Sequence, residues 1–289
     1  MRKIPADEFL SIALDEDRAS RDITTPFFYS DADKLDCEII AKGHGIFCGA
    51  EFVSQIWPVL NAPVVIDLLL SDGTRVAHGD CIARFLGPAR AVLAGERTLL
   101  NFIQRLSGIS TLTQAYVNAL NAPHIQILDT RKTTPLWRDF EKYAVRIGGG
   151  HSHRRDLSDM VLIKENHLAM LKNDQNWQGI TDVLHRIKSA HPQFKIEIEI
   201  DSLDLLKAVD LRDADIIMLD NFALADILPA VDWIRAQAYE AEIELSGGIA
   251  LETINQYAPL PIQRISVGAL THSVPALDIS MIMTPEKSR

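Results

Sequence analysis

The segments IEIEID (residues 196–201), IIMLDN (216–221) and IELSGG (243–248) decide the fold, because each is a short apolar run that ends in polar residues. Similar runs occur at IQILDT (125–130), YAVRIGG (143–149), MVLIKEN (160–166) and ISVGAL (265–270). Helix-like stretches such as 181–190, 203–211 and 223–238 separate most of them. Strands that alternate with helices are typically parallel, and seven such units predict an α/β barrel.

The chain before this series has a different pattern. Residues 1–90 predict an α+β domain, because extended segments such as 37–50 and 64–87 contain the Gly and Asp-Gly signals of turns between antiparallel strands. Residues 95–120 have apolar residues at helical spacing, and Ser107-Gly108 interrupts them. We therefore expect two helices that cross from one domain to the next.

Composition excludes several classes of protein. The 289 residues are 47% hydrophobic and 24% charged, which is typical of a globular chain and not of a collagen-like or disordered one. The net charge of −10 argues against nucleic acid as the main partner. No apolar stretch is long enough for a membrane helix, and the acidic N-terminus does not resemble a targeting signal. Three cysteines without a CxxC pair are typical of a reducing compartment, so we expect a cytoplasmic protein.

The polar ends of the apolar runs predict the position of the site. In an α/β barrel the carboxyl ends of the strands meet at one face and form the active site. Between residues 129 and 167 the chain has eight Lys or Arg against six Asp or Glu, although the whole protein is acidic. A locally basic segment in an acidic chain predicts a small anionic ligand. Its candidate ligand cations are Arg131, Lys132, His153, Arg154 and Lys164.

Guanidinium and ammonium groups bind carboxylates and phosphates, which is why these cations indicate an anion site. The alternative is that the same Lys and Arg side chains extend to water.

The alternation in IEIEID places Glu197, Glu199 and Asp201 on the face opposite three isoleucines. Helices outside the barrel would cover the isoleucines, so the carboxylates should point into the barrel. Buried carboxylates need cations or a metal ion. The alternative is an edge strand with three surface acids.

Two further groups of residues fit a phosphorylated sugar. Glycines after the last two strands allow backbone N–H groups to approach a phosphate. The acids Glu199 and Asp220 could hold hydrated Mg²⁺ on a polyphosphate, or stabilise a sugar carbocation. The candidate phosphate-binding residues are Ser246, Gly247, Gly248, Val267, Gly268 and Ala269.

Two other interpretations of the motifs have to be considered. His151-x-His153, followed by Lys164, His167 and Asp220, loosely resembles metal-dependent amidohydrolase barrels, although those enzymes place His-x-His on the first strand. The segment 72–80 alternates like a biotinyl- or lipoyl-carrier hairpin. It has no lysine at its turn, so a structural role is expected.

Several motifs together resemble the quinolinate phosphoribosyltransferase family, also called nicotinate-nucleotide pyrophosphorylase (carboxylating). They are ERTLLNFIQRLSGIST (96–111), LDTRKTTP (128–135), EKYAVRIGGG (141–150), HSHRRDLSDMVLIKENH (151–167), IEIEID, IIMLDNF, ELSGGI and ISVGALTHSVPALDISM (265–281). The resemblance implies transfer of a phosphoribosyl group to quinolinate with loss of carbon dioxide, Mg²⁺ dependence and a role in NAD biosynthesis. It further implies a homodimer with shared sites, and leaves a larger homo-oligomer open. It also implies a type II phosphoribosyltransferase fold, with a sandwich-like N-terminal α+β domain and an open seven-stranded barrel.

The resemblance assigns roles to individual residues. The family's quinolinate-binding cations correspond to Arg131, His153, Arg154 and Lys164, with Lys132 beside them, and its phosphate loops correspond to the glycine segments named above. Glu199 and Asp220 match its acids near the ribose and the metal, and Lys132, Lys164, Glu199 and Asp220 are the expected catalytic residues. Arg97 matches an arginine that the family donates across the dimer, a role that the pattern of residues alone does not predict.

The chain departs from the family in two places. Leu136-Trp137 stands where the family has a glycine-containing turn, and the segment before Asp22 lacks the usual glycines. A molybdate-transport-associated branch with the same fold is the nearest functional alternative. The expected domains are residues 1–107, a barrel at 108–270, and a C-terminal segment at 271–289 that packs back towards the first domain.

Overall fold

The computed structural model describes residues 5–173 and 176–283 of the chain. They divide into two compact units. The first is drawn from Met1–Gln114, Asp139–Gly149 and Ser273–Arg289, and the second from Ala115–Arg138 and Gly150–His272. The boundaries expected after residues 107 and 270 differ from these divisions, and as limits of independently folding domains they stay predictions.

Helices and strands occur in both units. The helices are α1 (Ala6–Glu16), α2 (Ala50–Val59), α3 (Ala89–Leu120), α4 (Arg138–Ile147), α5 (Glu165–Asn173), α6 (Trp177–Ala190), α7 (Leu203–Ala208), α8 (Leu224–Ala236) and α9 (Ala269–His272). The strands are β1 (Lys34–Ala41), β2 (Gly45–Ile46), β3 (Val65–Leu68), β4 (Arg75–Val76), β5 (Cys81–Pro88), β6 (Gln126–Leu128), β7 (Val161–Ile163), β8 (Ile196–Ile200), β9 (Ile216–Asp220), β10 (Glu242–Ser246), β11 (Arg264–Ser266) and β12 (Ile279–Met283). Short 3₁₀ helices cover Ala19–Arg21, Thr25–Phe27 and Ile254–Tyr257.

The first unit contains an antiparallel sheet in the order β12-β1-β5-β3, so the expected α+β organisation is confirmed. Its last strand, β12, comes from the C-terminal segment and pairs with β1. Aromatic side chains form much of its interior. Phe52 stacks on Phe102 with 4.5 Å between ring centroids, and Trp57 packs 4.4 Å from Phe85. Each such buried ring stabilises the fold by about 1.5–3 kcal/mol.

The prediction of two helices between residues 95 and 120 is wrong, because α3 is continuous through Ser107 and Gly108. Ser107 and Gly108 do not interrupt the helix; they allow close contacts between α3 and neighbouring segments. The Ser107 hydroxyl accepts a hydrogen bond from the Cys48 amide at 2.9 Å. A Cβ at Gly108 would lie 3.2 Å from Ala276 Cα and closer still to the Pro275 carbonyl.

The prediction of a strand at residues 143–149 is also wrong, because residues 143–147 form the end of α4 and residues 148–149 form the turn that follows it. Phe140, Ala144 and Val145 are buried and recur at helical spacing, so an apolar face of period 3.6 explains the helix better than a strand does. The helix ends at Gly148-Gly149, where Gly149 has φ +89° and its amide bonds to the carbonyl of Arg146. Glycine at a positive φ is a common end of a helix.

The second unit contains a parallel sheet in the order β6-β11-β10-β9-β8-β7. Helices α6, α7 and α8 connect successive strands, as the alternating pattern predicted. Leu128 of β6 forms an isolated parallel bridge with His151, which supplies a seventh extended position next to the six strands. The expected α/β class and parallel barrel strands are confirmed, and His151 takes the place that the sequence pattern assigned to residues 143–149.

Over residues 5–173 and 176–283, none of the helices combines the length and the apolar composition that crossing a membrane requires.

Candidate active site

The carboxyl ends of the parallel strands surround a cavity of about 390 Å³. This is the position that the polar ends of the apolar runs predicted. The cavity is lined by Thr130, Arg131, Lys132, His153, Arg154, Leu162, Lys164, Glu199, Met218, Asp220, Ser246 and Ser266.

Positive charge is in excess at this cavity. Four Lys or Arg side chains and two carboxylates line it, so two positive charges remain even when His153 is left out. The Arg131 Nε is buried and has no hydrogen-bond partner among the residues that the structure describes. Burial and the nearby Arg131 charge lower the pKa of Arg154. An anion bound here would provide a partner for Arg131 and relieve the repulsion between the two guanidinium groups.

The two acids of the cavity have different partners. Glu199 forms an ion pair with the Nζ of Lys164. Asp220 is the last residue of β9 and accepts a hydrogen bond from the side chain of Asn221 at 2.8 Å. The cavity therefore places carboxylate oxygens beside cations, which suits a reaction in which both positive and negative charges develop.

The alternation in β8 has the predicted consequence. Ile196, Ile198 and Ile200 are fully buried, and Glu197 and Glu199 each meet a cation. The prediction that these acids need positive partners is confirmed. Asp201 lies beyond the end of β8 and is exposed, so it does not belong to the interior set.

His153 is buried between the cavity and two interior glutamates. Its Nε2 lies 3.1 Å from an oxygen of Glu197 and 3.4 Å from an oxygen of Glu244. Both glutamates are fully buried, and Arg264 Nε donates to Glu244 at 2.7 Å. Glu244 and Arg264 were not predicted by the sequence analysis, because their position depends on the order of β8, β10 and β11 in the sheet.

Opposing effects act on the protonation of His153. Burial lowers its pKa, but the hydrogen bonds and charges of Glu197 and Glu244 outweigh burial and raise the pKa to about 9. The Arg154 amide donates to the Nδ1 of His153 at 2.7 Å, which favours the neutral ring with its hydrogen on Nε2, whereas the raised pKa favours the charged ring with hydrogen on both nitrogens. Both effects leave a hydrogen on Nε2, since that nitrogen faces carboxylates.

The loop after β10 requires glycine. Gly247 has φ +85°, and a Cβ there would lie 2.8 Å from the amide nitrogen of Asn221 and even closer to that residue's side chain. Gly248 has φ +62°, and a Cβ there would meet no atom of the described residues within 4 Å, apart from its own chain neighbours. The backbone of this loop is thus fixed next to Ser246 and Asp220.

The loop after β11 contains Val267, Gly268 and Ala269, of which Val267 is buried. A Cβ at Gly268 would lie 3.0 Å from the side chain of Lys132. The Thr271 hydroxyl donates to the Lys132 carbonyl at 2.8 Å. These contacts place the loop beside Lys132, which itself lines the cavity.

The structure brings most of the expected site residues together, but not all of them. Arg131, Lys132, His153, Arg154, Lys164, Glu199, Asp220 and Ser246 line the cavity. Arg97 is an exposed residue of α3 in the first unit, whereas all the lining residues belong to the second. Thr130, Leu162, Met218 and Ser266 were missed; Thr130 and Ser266 lie at strand ends that the sequence showed, while Leu162 and Met218 look like ordinary strand residues.

The residues that could hold a metal ion do not form an amidohydrolase site. The cluster that the described residues form from potential metal ligands consists of His153, Glu197 and Glu244, without His151, His167 or Asp220. The amidohydrolase interpretation is therefore wrong for the part of the chain that the structure describes. Glu199 and Asp220 are carboxylates at the same cavity, and such oxygen ligands suit Mg²⁺.

The fold and the site define a class: a parallel α/β domain with an excess of cationic side chains in a cavity at the carboxyl ends of its strands, preceded by a domain with an antiparallel sheet. Comparison with known families gives a narrower answer. The N-terminal domain of quinolinate phosphoribosyl transferase matches residues 22–107, and the C-terminal domain of the same family matches residues 109–282. The chain belongs to the quinolinate phosphoribosyltransferase family.

Individual relatives agree with this membership. A Bacillus subtilis protein, named as a probable nicotinate-nucleotide pyrophosphorylase (carboxylating), is 39% identical over 93% of this chain and 90% of its own. The nicotinate-nucleotide pyrophosphorylase (carboxylating) of Mycobacterium leprae is 35% identical over 93% of this chain and 94% of its own. The crystal structure of NadC from Streptococcus pyogenes is similar to this chain with a TM-score of 0.86 and 36% identity, covering 98% of this chain and 99% of that one.

Proposed function

We propose that this protein is a nicotinate-nucleotide pyrophosphorylase (carboxylating), that is, a quinolinate phosphoribosyltransferase of NAD biosynthesis. It transfers the 5-phosphoribosyl group of 5-phosphoribosyl 1-pyrophosphate to the nitrogen of quinolinate. The products are nicotinate mononucleotide, pyrophosphate and carbon dioxide. The observation that carries the proposal is a cavity lined by four Lys or Arg side chains and two carboxylates, in a chain that belongs to this family.

The cations bind the two carboxylates of quinolinate. Arg131 has a buried nitrogen without a hydrogen-bond partner among the described residues, and Arg154 is buried near enough for the Arg131 charge to lower its pKa. Guanidinium groups bind carboxylates through two parallel hydrogen bonds, which fixes the orientation of the pyridine ring. Lys164 and Lys132 add positive charge at the same cavity, and His153 completes the set that the family resemblance implies.

The glycine loops bind the phosphate of the sugar. Ser246, Gly247 and Gly248 offer a hydroxyl and backbone amides at the end of β10. After β11, Gly268 and Ala269 offer backbone amides, while the Val267 amide donates to the Leu128 carbonyl at 2.9 Å and holds the start of this loop in place. The left-handed backbone at Gly247 and Gly248 lets this loop approach an anion without side-chain obstruction.

Glu199 and Asp220 face the ribose and would hold Mg²⁺, partly through water. When bound, Mg²⁺ neutralises charge on the pyrophosphate. The carboxylates of Glu199 and Asp220 also stabilise positive charge that develops on the sugar as the leaving group departs.

The chemistry proceeds in two stages. The bond between the ribose C1 and pyrophosphate breaks with its electron pair on pyrophosphate, while Lys164 and Lys132 stabilise the negative charge. The nitrogen lone pair of quinolinate then forms the bond to C1. In the second stage the bond between the ring and the 2-carboxylate breaks, the positive ring nitrogen stabilises the electron pair left on carbon, and that carbon takes up a proton. Cations that held this carboxylate too tightly would slow its loss, so they serve mainly in binding and orientation.

The protein acts as a cytoplasmic homodimer in which Arg97 completes the site of the partner subunit. Mixing Arg97→Ala chains with Lys164→Ala chains tests this arrangement. After random exchange half of the dimers are mixed and each has one complete site, so about a quarter of the wild-type activity should return. If no activity returns after exchange has been verified, the shared site is wrong.

The reaction is tested with quinolinate and with nicotinate as the parallel substrate, each with 5-phosphoribosyl 1-pyrophosphate and Mg²⁺. Nicotinate mononucleotide is expected from quinolinate alone. Binding of molybdate by folded protein that does not turn over quinolinate would instead support the molybdate-transport-associated branch.

A further inference from the structure

A buried network of charged residues lies behind the cavity, and the mechanism above does not use it. Glu197 of β8 and Glu244 of β10 are fully buried, and the side chain of Arg264 of β11 is 12% exposed. Burying three charged side chains is unfavourable unless their contacts compensate for the loss of water. A chain that only needed a filled interior could use apolar residues here, so the network requires an explanation.

The network converges on one atom of the site. The Nε2 of His153 contacts an oxygen of Glu197 at 3.1 Å and an oxygen of Glu244 at 3.4 Å. The other oxygen of Glu244 accepts from Arg264 Nε at 2.7 Å, so the arginine fixes this carboxylate from the far side. Residues of three strands, β8, β10 and β11, thereby define where the imidazole ring lies and which of its edges faces inwards.

The position of the ring also determines the position of Arg154. The Arg154 amide donates to Nδ1 of His153 at 2.7 Å, and the amide of His153 donates to the buried Asp129 at 2.9 Å. The Arg154 side chain then extends along the cavity, where its Nη1 donates to the Met160 carbonyl at 3.1 Å. A change in the ring is therefore transmitted to the backbone that carries a cavity guanidinium.

We infer that Glu197, Glu244 and Arg264 are positioning residues that orient His153 and, through it, Arg154 for binding the substrate carboxylates. This inference rests on the proposed function for the identity of the substrate. The network itself is a property of the protein without substrate, so it can be tested separately.

A bound metal ion is the other use for His153, Glu197 and Glu244, since one atom from each lies within 4.8 Å of the others. The contact between Arg264 and Glu244 favours the ion-pair network, because a guanidinium already supplies positive charge to this carboxylate. Metal analysis of the purified protein distinguishes a bound metal ion from the ion-pair network. One equivalent of a transition metal that is lost together with Glu244 would overturn the inference.

The kinetic test compares Glu197→Gln with Glu197→Leu. The amide oxygen of glutamine still accepts a hydrogen bond from Nε2, whereas leucine leaves the ring without that partner. We expect Glu197→Leu to raise the KM for quinolinate about tenfold, which corresponds to the loss of one hydrogen bond to a charged group. The KM for 5-phosphoribosyl 1-pyrophosphate and kcat should change by less than about threefold, and Glu197→Gln should retain most of the wild-type KM.

Glu242→Leu is the matched control. Glu242 lies on β10 two residues before Glu244 and also contacts Arg264, at 3.2 Å, but its side chain is 41% exposed and it lies further from His153 along the strand. This variant should leave the KM for quinolinate unchanged. Folded Glu197→Leu protein with a wild-type KM, or equal loss in Glu197→Gln and Glu197→Leu, would overturn the positioning role.

A second readout needs neither activity nor a folded variant at Glu197. Nitrogen-15 NMR of histidine-labelled wild-type protein, with His153 assigned by loss of its signal in His153→Gln, reports which ring nitrogen carries hydrogen. The network requires a hydrogen on Nε2. A His153 with an unprotonated Nε2 contradicts the inference whatever the substrate, while an Nε2–H signal in protein inactive towards quinolinate would refute the proposed function and leave the network intact.

Discussion

Replacing Gly247 by alanine should damage the site far more than the same change at Gly248. Both residues have left-handed backbone conformations, which cost a residue with a Cβ about 1–2 kcal/mol. At Gly248 this is the whole expected cost, because apart from its chain neighbours no described residue has an atom within 4 Å of the added methyl group. At Gly247 the Cβ would lie 2.8 Å from the Asn221 amide nitrogen, which donates to the Ser246 carbonyl at 2.9 Å.

Relieving that contact would break the hydrogen bond between the loops, which adds about 1 kcal/mol or more to the cost at Gly247. We therefore expect Gly247→Ala to be less stable than Gly248→Ala by about 1 kcal/mol or more, which lowers the midpoint of thermal unfolding by at least about 2 °C. Because Asn221 also donates to Asp220, kcat/KM for 5-phosphoribosyl 1-pyrophosphate should fall about tenfold in Gly247→Ala alone.

Thermal unfolding followed by circular dichroism and steady-state kinetics measure both effects on the same preparations. Equal midpoints and equal kcat/KM for the two variants would refute the argument, because it would mean that the loop after β10 is not held against Asn221.

Three further predictions concern other parts of the chain. Lys164→Ala should keep the fold and lower kcat/KM at least about 100-fold, because it removes the partner of Glu199 in the cavity. The control Lys188→Ala breaks the ion pair between α6 and Asp215 and should keep a kcat/KM near the wild-type value. Near-normal turnover by Lys164→Ala would show that this lysine is not part of the site. Leu136→Gly should raise the unfolding free energy by up to about 1 kcal/mol, because Leu136 has φ +68° and its side chain is 66% exposed; a loss of stability in denaturant titration would contradict this. Burial raises the pKa of Cys37 to about 11 and that of Cys48 to about 12. Both thiols should therefore resist alkylation by iodoacetamide at pH 8 until the protein is denatured. Rapid labelling of either cysteine in the native protein would contradict their burial.

The sequence predicted the sheet of the second unit well because its strands are short, apolar and punctuated by polar residues. Ile196, Ile198 and Ile200 are fully buried as their alternation with acids required, and Asp220 and Ser246 lie at strand ends beside the cavity. The error at residues 143–149 has a physical reason. Tyr143 to Ile147 is too short an apolar run to distinguish a strand from a buried helix face, and only the packing of Phe140 and Ala144 decides between them.

The buried residues behind the cavity, Glu244 and Arg264, were harder to predict than the residues that line it. Glu244 alternates with Ile243 and Leu245 as any strand residue could, and nothing local shows that it meets His153, about ninety positions earlier in the chain. Arg264 stands at the beginning of β11, where a surface position would be the usual expectation. Its contact with Glu244 follows from the pairing of β10 with β11, which the order of elements in the chain does not fix.

The measurement that tests the central claim most directly follows quinolinate labelled with carbon-13 in its 2-carboxylate through a single reaction with 5-phosphoribosyl 1-pyrophosphate and Mg²⁺. The account predicts that all of the label appears as carbon dioxide, in equal amounts with unlabelled nicotinate mononucleotide and pyrophosphate. Label that stays in an uncleaved nucleotide, or folded protein that releases neither carbon dioxide nor pyrophosphate, would contradict it.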